Sequence, residues 1–318
     1  MSRTILVSGA SGIVGYGILR SLCDFKDIRL IGTSIYPVSP ANIFSDIFEL
    51  APPTTSPNYL AWLADVVHRH SVDMVVPGIE VDMEVWNANR VVLEKTGAQL
   101  MLNSSDLIEY CLDKWFFYQR LSEDYPEVAI RSSLSTEGFS FPILLKPRRG
   151  FGSKGISIVE NVEQLTVFEK DIGNKLMVQE LVGDVDHEYT VSGFFDKDSD
   201  LKAMFQLRRK LSAQGFTETA QTVHEPEMEQ IIRRLAEIFN PVGPTNFQFR
   251  KNKTGWKLLE INPRISSATS IKTAFGYNEC RMAVDYFLYG KTVSQPALKN
   301  GCAMRYIEDY VRYDSVDF

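Results

Sequence analysis

Three oxygen-bearing side chains near the end of the sequence have the spacing of a metal site. Glu260 and Asn262 stand two residues apart in an apolar segment, residues 258–264, so in a strand they project from one face. Gln248 lies on the segment predicted to pair with it and can join them. One carboxylate and two amide oxygens suit Mg²⁺, a hard cation that also keeps waters and phosphate oxygens as ligands. The alternative is a solvated polar strand face, but a carboxylate among apolar neighbours needs a partner or a metal.

A second group of residues suits phosphate binding. Lys146 ends a predicted strand, and a loop with glycines at positions 150, 152 and 155 follows it. Glycine lets backbone N–H groups approach phosphate oxygens closely, and the cations Arg148, Arg149 and Lys154 add positive charge. The lysine precedes the loop, so the order is not that of a P-loop. A flexible surface turn is the alternative interpretation.

The periodicity of apolar residues predicts the elements that must position these groups. Over residues 1–104, strand-like and helix-like segments alternate, which is typical of a Rossmann-like domain with a parallel sheet. Ser104 or Ser105 is suited to cap the next helix, which runs to about residue 121, so a domain boundary is placed there. The strands are predicted at residues 4–8, 29–32, 74–77 and 99–102, and the helices at 12–23, 59–70 and 82–93.

Residues 105–318 follow another pattern, with short strands in pairs, which predicts an α+β fold with antiparallel sheets. The helix predicted at residues 227–239 covers a sheet. A hairpin is predicted from residues 246–251 and 256–261, joined by the turn-prone residues 252–255. The other strand pairs are predicted to be 142–146 with 156–159, 175–180 with 188–194, and 201–206 with 216–222.

The composition narrows the classes of partner. The 318 residues contain 34 basic and 40 acidic side chains, a net charge of -6, which opposes general attraction to nucleic acid or to an anionic membrane. No apolar run approaches the roughly 18 residues of a membrane helix, and the start lacks the pattern of a secretory signal. The four cysteines show no CxxC spacing, so neither zinc nor disulfides are indicated and a cytoplasmic location is expected.

Residues 246–270 resemble the ATP-grasp family, and within it the ATP-binding halves of carbamoyl phosphate synthetase large subunits and their short stand-alone relatives. The likeness extends in order over nearly the whole chain. It implies the fold class α/β plus α+β: a Rossmann-like domain at residues 1–104, then an ATP-grasp domain at 105–318 whose two α+β subdomains clasp ATP. The glycine-loop subdomain is expected at about residues 125–182 and the metal-binding subdomain at about 183–318.

The resemblance also implies roles at the metal and phosphate site. Gln248, Glu260 and Asn262 match positions that bind two metal ions, and Arg264 matches the position that holds transferred phosphate or acyl phosphate. Gln248 follows the carbamoyl phosphate synthetase pattern at a position that is more often acidic. This amide removes one negative charge from a metal site.

A basic segment resembles the strand-loop-strand that faces the phosphates and the acceptor in the short relatives. It comprises Arg208, Arg209 and Lys210, and a cation there can neutralise γ-phosphate charge. The choice between Arg208 and Arg209 stays open, and a solvated basic hairpin is the alternative. The acid matching Glu180 is expected near adenine, and Glu188 on the ribose hydroxyls. The nucleotide-binding positions that the resemblance implies are Lys114, Lys146, Gly150, Gly152, Ser153, Lys154, Gly155, Gln179, Glu180, Leu181, Val182, Glu188 and Gln248.

The activity that the resemblance implies is ligation of a carboxylate to an amine, or to a thiol, through an acyl phosphate. ATP and Mg²⁺ are the implied cofactors, with Mn²⁺ as a substitute for Mg²⁺, and small molecules are the implied partners; a homodimer is the assembly considered. Glu80 and Asp82 either contact a substrate or serve as acids at a helix N-terminus. Phosphorylation of carbamate or bicarbonate is an alternative reaction, and a nucleotide-binding module without catalysis is an alternative of another class.

A dehydrogenase or epimerase of the short-chain type is the main rival. Residues 9–15 form a glycine-rich turn between a strand and a helix, the context of a dinucleotide fingerprint, and Tyr110 and Lys114 have that family's spacing. The second strand, however, ends at Ser34 without the acid that holds an adenosine ribose. The glycines are therefore expected to pack a helix against a strand, with an anionic substrate group near the start of that helix.

Overall fold

A parallel five-stranded sheet forms the N-terminal part of the computed structural model, which describes residues 2–150, 154–183, 188–212 and 215–311. Its strand order is β3-β2-β1-β4-β5. Strands of this kind are buried on both faces, and the apolar runs of the central strands fit that position. The strands are β1 (Arg3–Val7), β2 (Ile28–Ser34), β3 (Ile47–Leu50), β4 (Met74–Val76) and β5 (Gln99–Leu100).

Helices cover both faces of this sheet, as the predicted Rossmann-like pattern requires. Strand β3 was not predicted, because this short edge strand is only half buried and shows no clear alternation. The helix predicted at residues 82–93 is interrupted at Asn89, whose φ of -123° and ψ of 25° are not helical. The helices are α1 (Ile13–Leu22), α2 (Ala41–Phe44), α3 (Tyr59–His70), α4 (Glu80–Ala88) and α5 (Arg90–Glu94).

The helix predicted to run to residue 121 is two helices, α6 (Ser105–Leu112) and α7 (Lys114–Asp124). Asp113 separates them: its backbone is extended, and its Oδ1 accepts a hydrogen bond from the N–H of Trp115 at 3.0 Å, which caps α7. Ser104 is the N-cap residue of α6, one of the two positions predicted, but the predicted side-chain hydrogen bond is wrong. The Ser104 hydroxyl makes no capping hydrogen bond, and its oxygen has no partner among the described residues.

A four-stranded antiparallel sheet follows, in the order β6-β9-β7-β8. The predicted pairing of β7 with β8 is confirmed. The predicted pairing of residues 175–180 with 188–194 is wrong: β9 pairs with β7, where the fully buried Leu145 and Val178 lie opposite each other. The elements are β6 (Ser132–Ser133), β7 (Ile143–Pro147), β8 (Ser157–Val159), α8 (Val162–Leu165) and β9 (Leu176–Glu180).

The third sheet has six antiparallel strands in the order β14-β13-β10-β11-β12-β15. The predicted hairpin is β13 with β14, and the predicted helix 227–239 is α9 at those bounds. Strand β11 pairs with β12 through residues 207–211, so the predicted register from 201–206 is displaced. The elements are β10 (Glu188–Phe195), β11 (Leu201–Leu211), β12 (Thr217–Thr222), α9 (Glu227–Phe239), β13 (Gly243–Asn252), β14 (Gly255–Asn262), α10 (Thr269–Ala274), α11 (Glu279–Phe287) and β15 (Cys302–Met304).

The N-terminal sheet and the six-stranded sheet share a core. Ile18 of α1 and Val7 of β1 belong to the same buried cluster as Phe205 of β11 and Ile265 and Tyr277 near α10. Burying a large apolar side chain stabilises a fold by about 1.5–3 kcal/mol, so a shared cluster of this size fixes the two sheets to each other. Within the described residues, no helix is both long and apolar enough to span a membrane.

Candidate active site

A cavity of ≈ 340 Å³ lies between the six-stranded sheet and the N-terminal domain. Strands β11, β13 and β14 of the six-stranded sheet contribute to its wall, together with the α6–α7 region, the residues that follow β7, and the starts of α1 and α4. Several of the residues predicted from sequence therefore converge although they are far apart in the chain. The charged and amide side chains among its lining are Glu80, Glu84, Lys114, Arg149, Arg209, Asn246, Gln248, Glu260, Asn262 and Arg264.

The hairpin register brings the three predicted metal-binding residues together. Gln248 lies opposite Glu260, and Asn246 lies opposite Asn262, as the sequence predicted. Asn262 donates a hydrogen bond from Nδ2 to Oε1 of Glu260 at 3.0 Å, so these two side chains share a face. Asn246, which the sequence interpretation gave no role, also lines the cavity, and its Oδ1 accepts from the Thr190 hydroxyl at 2.6 Å.

Glu260 carries a negative charge in this setting. Burial by itself raises the pKa of its carboxyl, but Lys146, the hydrogen bond from Asn262, and then Lys114 and Arg209 lower it, and the net pKa is below the ordinary value. One charged and two amide oxygens fit a hard divalent cation. Clusters of three or more His, Cys, Asp or Glu side chains suited to a metal are absent from the described part of the chain, so a metal here relies on the amides.

Two lysines act on the charge of Glu260: Lys114, which lines the cavity, and Lys146. Lys146 is buried, its Nζ lies 5.5 Å from the centre of the Tyr118 ring, and it donates to the Leu259 carbonyl at 3.4 Å. Lys114, the first residue of α7, donates to the carbonyl of Gly150. Burial lowers the pKa of both ammonium groups, and the charge of Lys146 lowers that of Lys114 further, while Glu260 opposes the shift in each.

The start of the glycine-rich loop is anchored by a contact that sequence inspection missed. Asp113 is buried and accepts from Nη2 of Arg148 at 2.8 Å, and Nε of Arg149 lies 3.8 Å from the same carboxylate. Gly150 has a φ of +126°, which favours glycine there. Lys154 is exposed, Gly155 has a φ of +75°, and Gly152 and Ser153 lie outside the described residues.

Strand alternation settles which residue of the basic segment faces the cavity. Arg209 is 4% exposed and lines it, whereas Arg208 and Lys210 project from the opposite, exposed face of β11. Arg208 instead donates to Gln221 at 3.0 Å. The interpretation that placed Arg208 and Lys210 at the phosphates is therefore corrected in favour of Arg209.

Glu188 is held by arginines. It is 4% exposed, and its two oxygens accept from Arg209 at 2.8 Å and from Arg250 at 3.2 Å. Its contact with a ribose stays a prediction, and such a contact requires sharing these oxygens. Arg209 keeps a buried Nε that has no hydrogen-bond partner among the described residues.

The segment predicted to contact adenine, residues 179–182, lies at the end of β9. None of these residues is among those that line the cavity. Gln179 is buried and donates to the Ser132 hydroxyl at 3.0 Å, which ties β9 to β6. Glu180 and Leu181 are exposed and Val182 is buried. Exposure leaves Glu180 and Leu181 accessible to a ligand, and the adenine contact stays a prediction.

Arg264 meets the N-terminal domain inside the cavity. Its Nη2 forms an ion pair with Glu80 and lies 3.3 Å from Oδ1 of Asn262. Of the two acids that the sequence left open, Glu80 therefore lies in the cavity. Asp82 does not: it is buried and accepts from Thr54 at 2.6 Å and from Tyr59 at 2.8 Å.

The residues of β11, β13 and β14 that form this cavity lie in a part of the chain that matches a known family. A family model described as "ATP-grasp in the biosynthetic pathway with Ter operon" matches residues 174–310. Residues 174–310 match an ATP-grasp domain. The resemblance inferred from the sequence is thus confirmed, and the matched residues include the whole of the β13–β14 hairpin.

Relatives of the ATP-grasp domain include the carbamoyl phosphate synthase large chain of Rubrobacter xylanophilus, 25% identical over 332 residues, which cover 90% of this chain and 31% of the synthase. The D-alanine–D-alanine ligase of Petrotoga mobilis is 26% identical over 171 residues, 48% of this chain and 55% of the ligase. This chain therefore spans about a third of the synthase's length.

The fold has close structural counterparts. The biotin carboxylase domain dimer of Hydrogenobacter thermophilus 2-oxoglutarate carboxylase, in complex with MgADP, ADP and bicarbonate, aligns with a TM-score of 0.73 and 16% identity. The alignment covers 95% of this chain and 73% of that one. The predicted fold class, a parallel N-terminal sheet followed by an ATP-grasp fold, is confirmed.

The dehydrogenase interpretation does not fit the structure. Tyr110 lies on α6 and Lys114 on α7, and the break at Asp113 removes the shared helix face that their spacing suggested. The glycines near the N-terminus serve packing: a Cβ at Gly15 would lie 2.5 Å from the Gly9 carbonyl oxygen. Close backbone approach explains the glycine-rich sequence without a dinucleotide.

Proposed function

We propose that this chain is an ATP-dependent carboxylate–amine ligase that works through an acyl phosphate. The observation that carries the proposal is the meeting, in one cavity, of a carboxylate–amide face and unsatisfied basic groups. Glu260 and its amide neighbours line one side, and Lys114, Arg209 and Arg264 line the others. Arg209 and Arg264 each keep a buried Nε without a hydrogen-bond partner among the described residues, which an anionic ligand would satisfy.

These residues divide the work of binding a triphosphate. Lys114 and Lys146 would bind phosphate oxygens, and Gln248, Glu260 and Asn262 would hold Mg²⁺. When bound, the ion supplies positive charge that offsets repulsion between phosphate and carboxylate. Mn²⁺, also a hard cation, is expected to replace Mg²⁺.

The proposed reaction has two steps. A carboxylate oxygen attacks the γ-phosphorus of ATP, the bond from phosphorus to the β–γ bridging oxygen breaks, and ADP leaves. The amine nitrogen then attacks the acyl carbon, the bond from carbon to the phosphate oxygen breaks, and phosphate departs while the nitrogen loses a proton. Arg264 and Arg209 stabilise the charge of the transferred group, because they present fixed N–H donors in a partly buried site.

Trapping of the acyl phosphate tests this function without knowledge of the amine. Hydroxylamine accepts an acyl group from an acyl phosphate and gives a hydroxamate. We expect the protein with MgATP, hydroxylamine and a panel of carboxylic acids to form ADP and hydroxamate in equal amounts for at least one acid. ADP release that is independent of every acid and yields no hydroxamate contradicts the proposal and points to a simple ATPase.

The alkaline limit of the reaction is expected below the ordinary pKa of lysine. A lysine is charged below its pKa, and burial lowers the pKa of Lys114 and Lys146, so phosphate binding is complete at low pH and is lost as the pH rises through these lowered values. The measurement is kcat/KM for MgATP as a function of pH. In the Lys114→Arg/Lys146→Arg variant the cations stay charged, and the limit moves to higher pH whatever the absolute rate. An unchanged limit in that variant contradicts the assignment.

Phosphorylation of bicarbonate or carbamate is a second candidate. The likeness to a carbamoyl phosphate synthase and to a carboxylase domain in complex with MgADP and bicarbonate favours it. Bicarbonate-dependent ADP release that gives no hydroxamate would select this reaction. A cytoplasmic location, to which four free cysteines are suited, and a homodimer complete the proposal.

A further inference from the structure

The ion pair between Glu80 and Arg264 leaves part of the arginine unused. The two side chains are 26% and 10% exposed. Arg264 donates from Nη1 to the Ile265 carbonyl at 2.9 Å, but its buried Nε donates to no described residue. Nε and Nη2 form the two-donor edge that binds a carboxylate through both oxygens. Glu80 engages only Nη2, so it occupies half of a carboxylate site.

A second carboxylate lies beside this site without a partner. Glu84 follows Glu80 by one turn on α4, and both residues line the cavity. Glu84 is exposed, and it makes no hydrogen bond or ion pair with any described residue. Like charges at i and i+4 on a helix repel each other, and Arg264 compensates only the charge of Glu80. This end of the cavity therefore offers an anion site and, next to it, a place for a cation.

We propose that the carboxylate substrate is an amino acid whose carboxylate displaces Glu80 from Arg264 and whose ammonium group binds Glu80 and Glu84. This inference rests on the ligase function proposed above and names the class of its first substrate. The carboxylate at Arg264 is the group that is phosphorylated. The ammonium group takes no part in that step.

The balance of charge selects this class of substrate. A zwitterion brings one carboxylate for Arg264 and one ammonium group for the two glutamates, so every charge in this end of the cavity has a partner. A carboxylate without an ammonium group releases Glu80 as a second unpaired anion beside Glu84. The cost of that repulsion falls on the deamino compound alone, and this difference is the basis of discrimination.

Matched pairs of substrates test the inference. The hydroxylamine-trapped release of ADP is measured with free amino acids and their deamino counterparts, such as alanine and propionate, or glutamate and glutarate. We expect the preferred amino acid to exceed its counterpart in kcat/KM by at least about tenfold. The Glu84→Gln variant is expected to lose about 10- to 100-fold in kcat/KM for that amino acid and to gain in kcat/KM for the deamino counterpart, because the repulsion between Glu80 and residue 84 is removed. The control is Glu94→Gln, an exposed glutamate of α5 outside the cavity, which should keep wild-type values.

The other outcomes separate the two proposals. Turnover of deamino acids in preference to amino acids overturns the inference and leaves the ligase function standing. Equal losses with both members of a pair in Glu84→Gln mean that Glu84 has a structural role, and this also overturns it. ADP and hydroxamate from neither panel, by protein that binds MgATP, counts against both proposals.

Discussion

The Glu260→Gln variant should form ADP at least about 10³-fold more slowly than the wild-type protein and should remain folded. Glutamine keeps the size of the side chain and removes the one charge on the metal-binding face. A bound divalent ion contributes several kcal/mol to stabilising the transferred phosphate, and each 1.36 kcal/mol corresponds to a tenfold change in rate. The measurement is acid-dependent ADP release over a range of Mg²⁺ concentrations.

The controls distinguish loss of charge from loss of fold. Glu237→Gln changes an exposed glutamate on α9 and should keep full activity. Asn262→Ala removes an amide ligand and the hydrogen bond to Glu260, and it should also reduce ADP formation. Wild-type activity in Glu260→Gln at every Mg²⁺ concentration would remove the metal assignment, and with it the central support for the proposed ligase.

The shared face of Gln248, Glu260 and Asn262 could be predicted from sequence because it depends on local geometry. A short turn joins two neighbouring strands, so the pairing of Gln248 with Glu260 follows from the positions of the turn and the apolar residues. The side-chain period of two then puts Glu260 and Asn262 on one face. The same reasoning succeeded for α9, whose apolar residues recur with the period of a helix.

Contacts between distant segments could not be predicted in this way. Glu80 and Arg264 are 184 residues apart, and only the packing of α1 and α10 in a shared core brings them together. Strand alternation explains why the choice between Arg208 and Arg209 stayed open. Neighbouring residues of a strand point to opposite faces, so the choice needs the register of β11. The sequence patterns placed the paired part of that strand too early in the chain.

A second helix cap, at Asp113, was missed in the sequence, so α6 and α7 were predicted as one helix. Ser104 has the residue type of an N-cap, but Asp113 caps a helix nine residues later and breaks the predicted helix in two. The carboxylate of Asp113 has a second partner in Arg148, from the start of the glycine-rich loop. One aspartate therefore positions both Lys114 and Arg148, at the start of the loop, and neither contact is visible in local composition.

A buried ion pair between Lys272 and Glu279 connects α10 and α11 to the central strand β10. Both side chains are 1% exposed, and Lys272 also donates from Nζ to the Ser192 hydroxyl at 2.6 Å. The Ser192 hydroxyl in turn lies 3.4 Å from Oδ1 of Asn246, which lines the cavity. The second oxygen of Glu279 has no partner among the described residues, so Lys272 is the cation that stabilises this buried carboxylate.

We expect Lys272→Met to lower the free energy of unfolding by about 3–5 kcal/mol, because it leaves the Glu279 carboxylate buried without its cation. The Lys272→Met/Glu279→Leu double variant removes both charges, and it should recover most of this loss. Urea unfolding measures the stability of both variants.

Arg233→Met, which breaks an exposed pair with Glu229, should cost less than about 1 kcal/mol and serves as the control. If Lys272→Met is as stable as Arg233→Met, the pair between Lys272 and Glu279 contributes little to the free energy of unfolding. If the double variant is stable but slow in ADP formation, the Lys272–Ser192–Asn246 contacts position the cavity wall as well as the core.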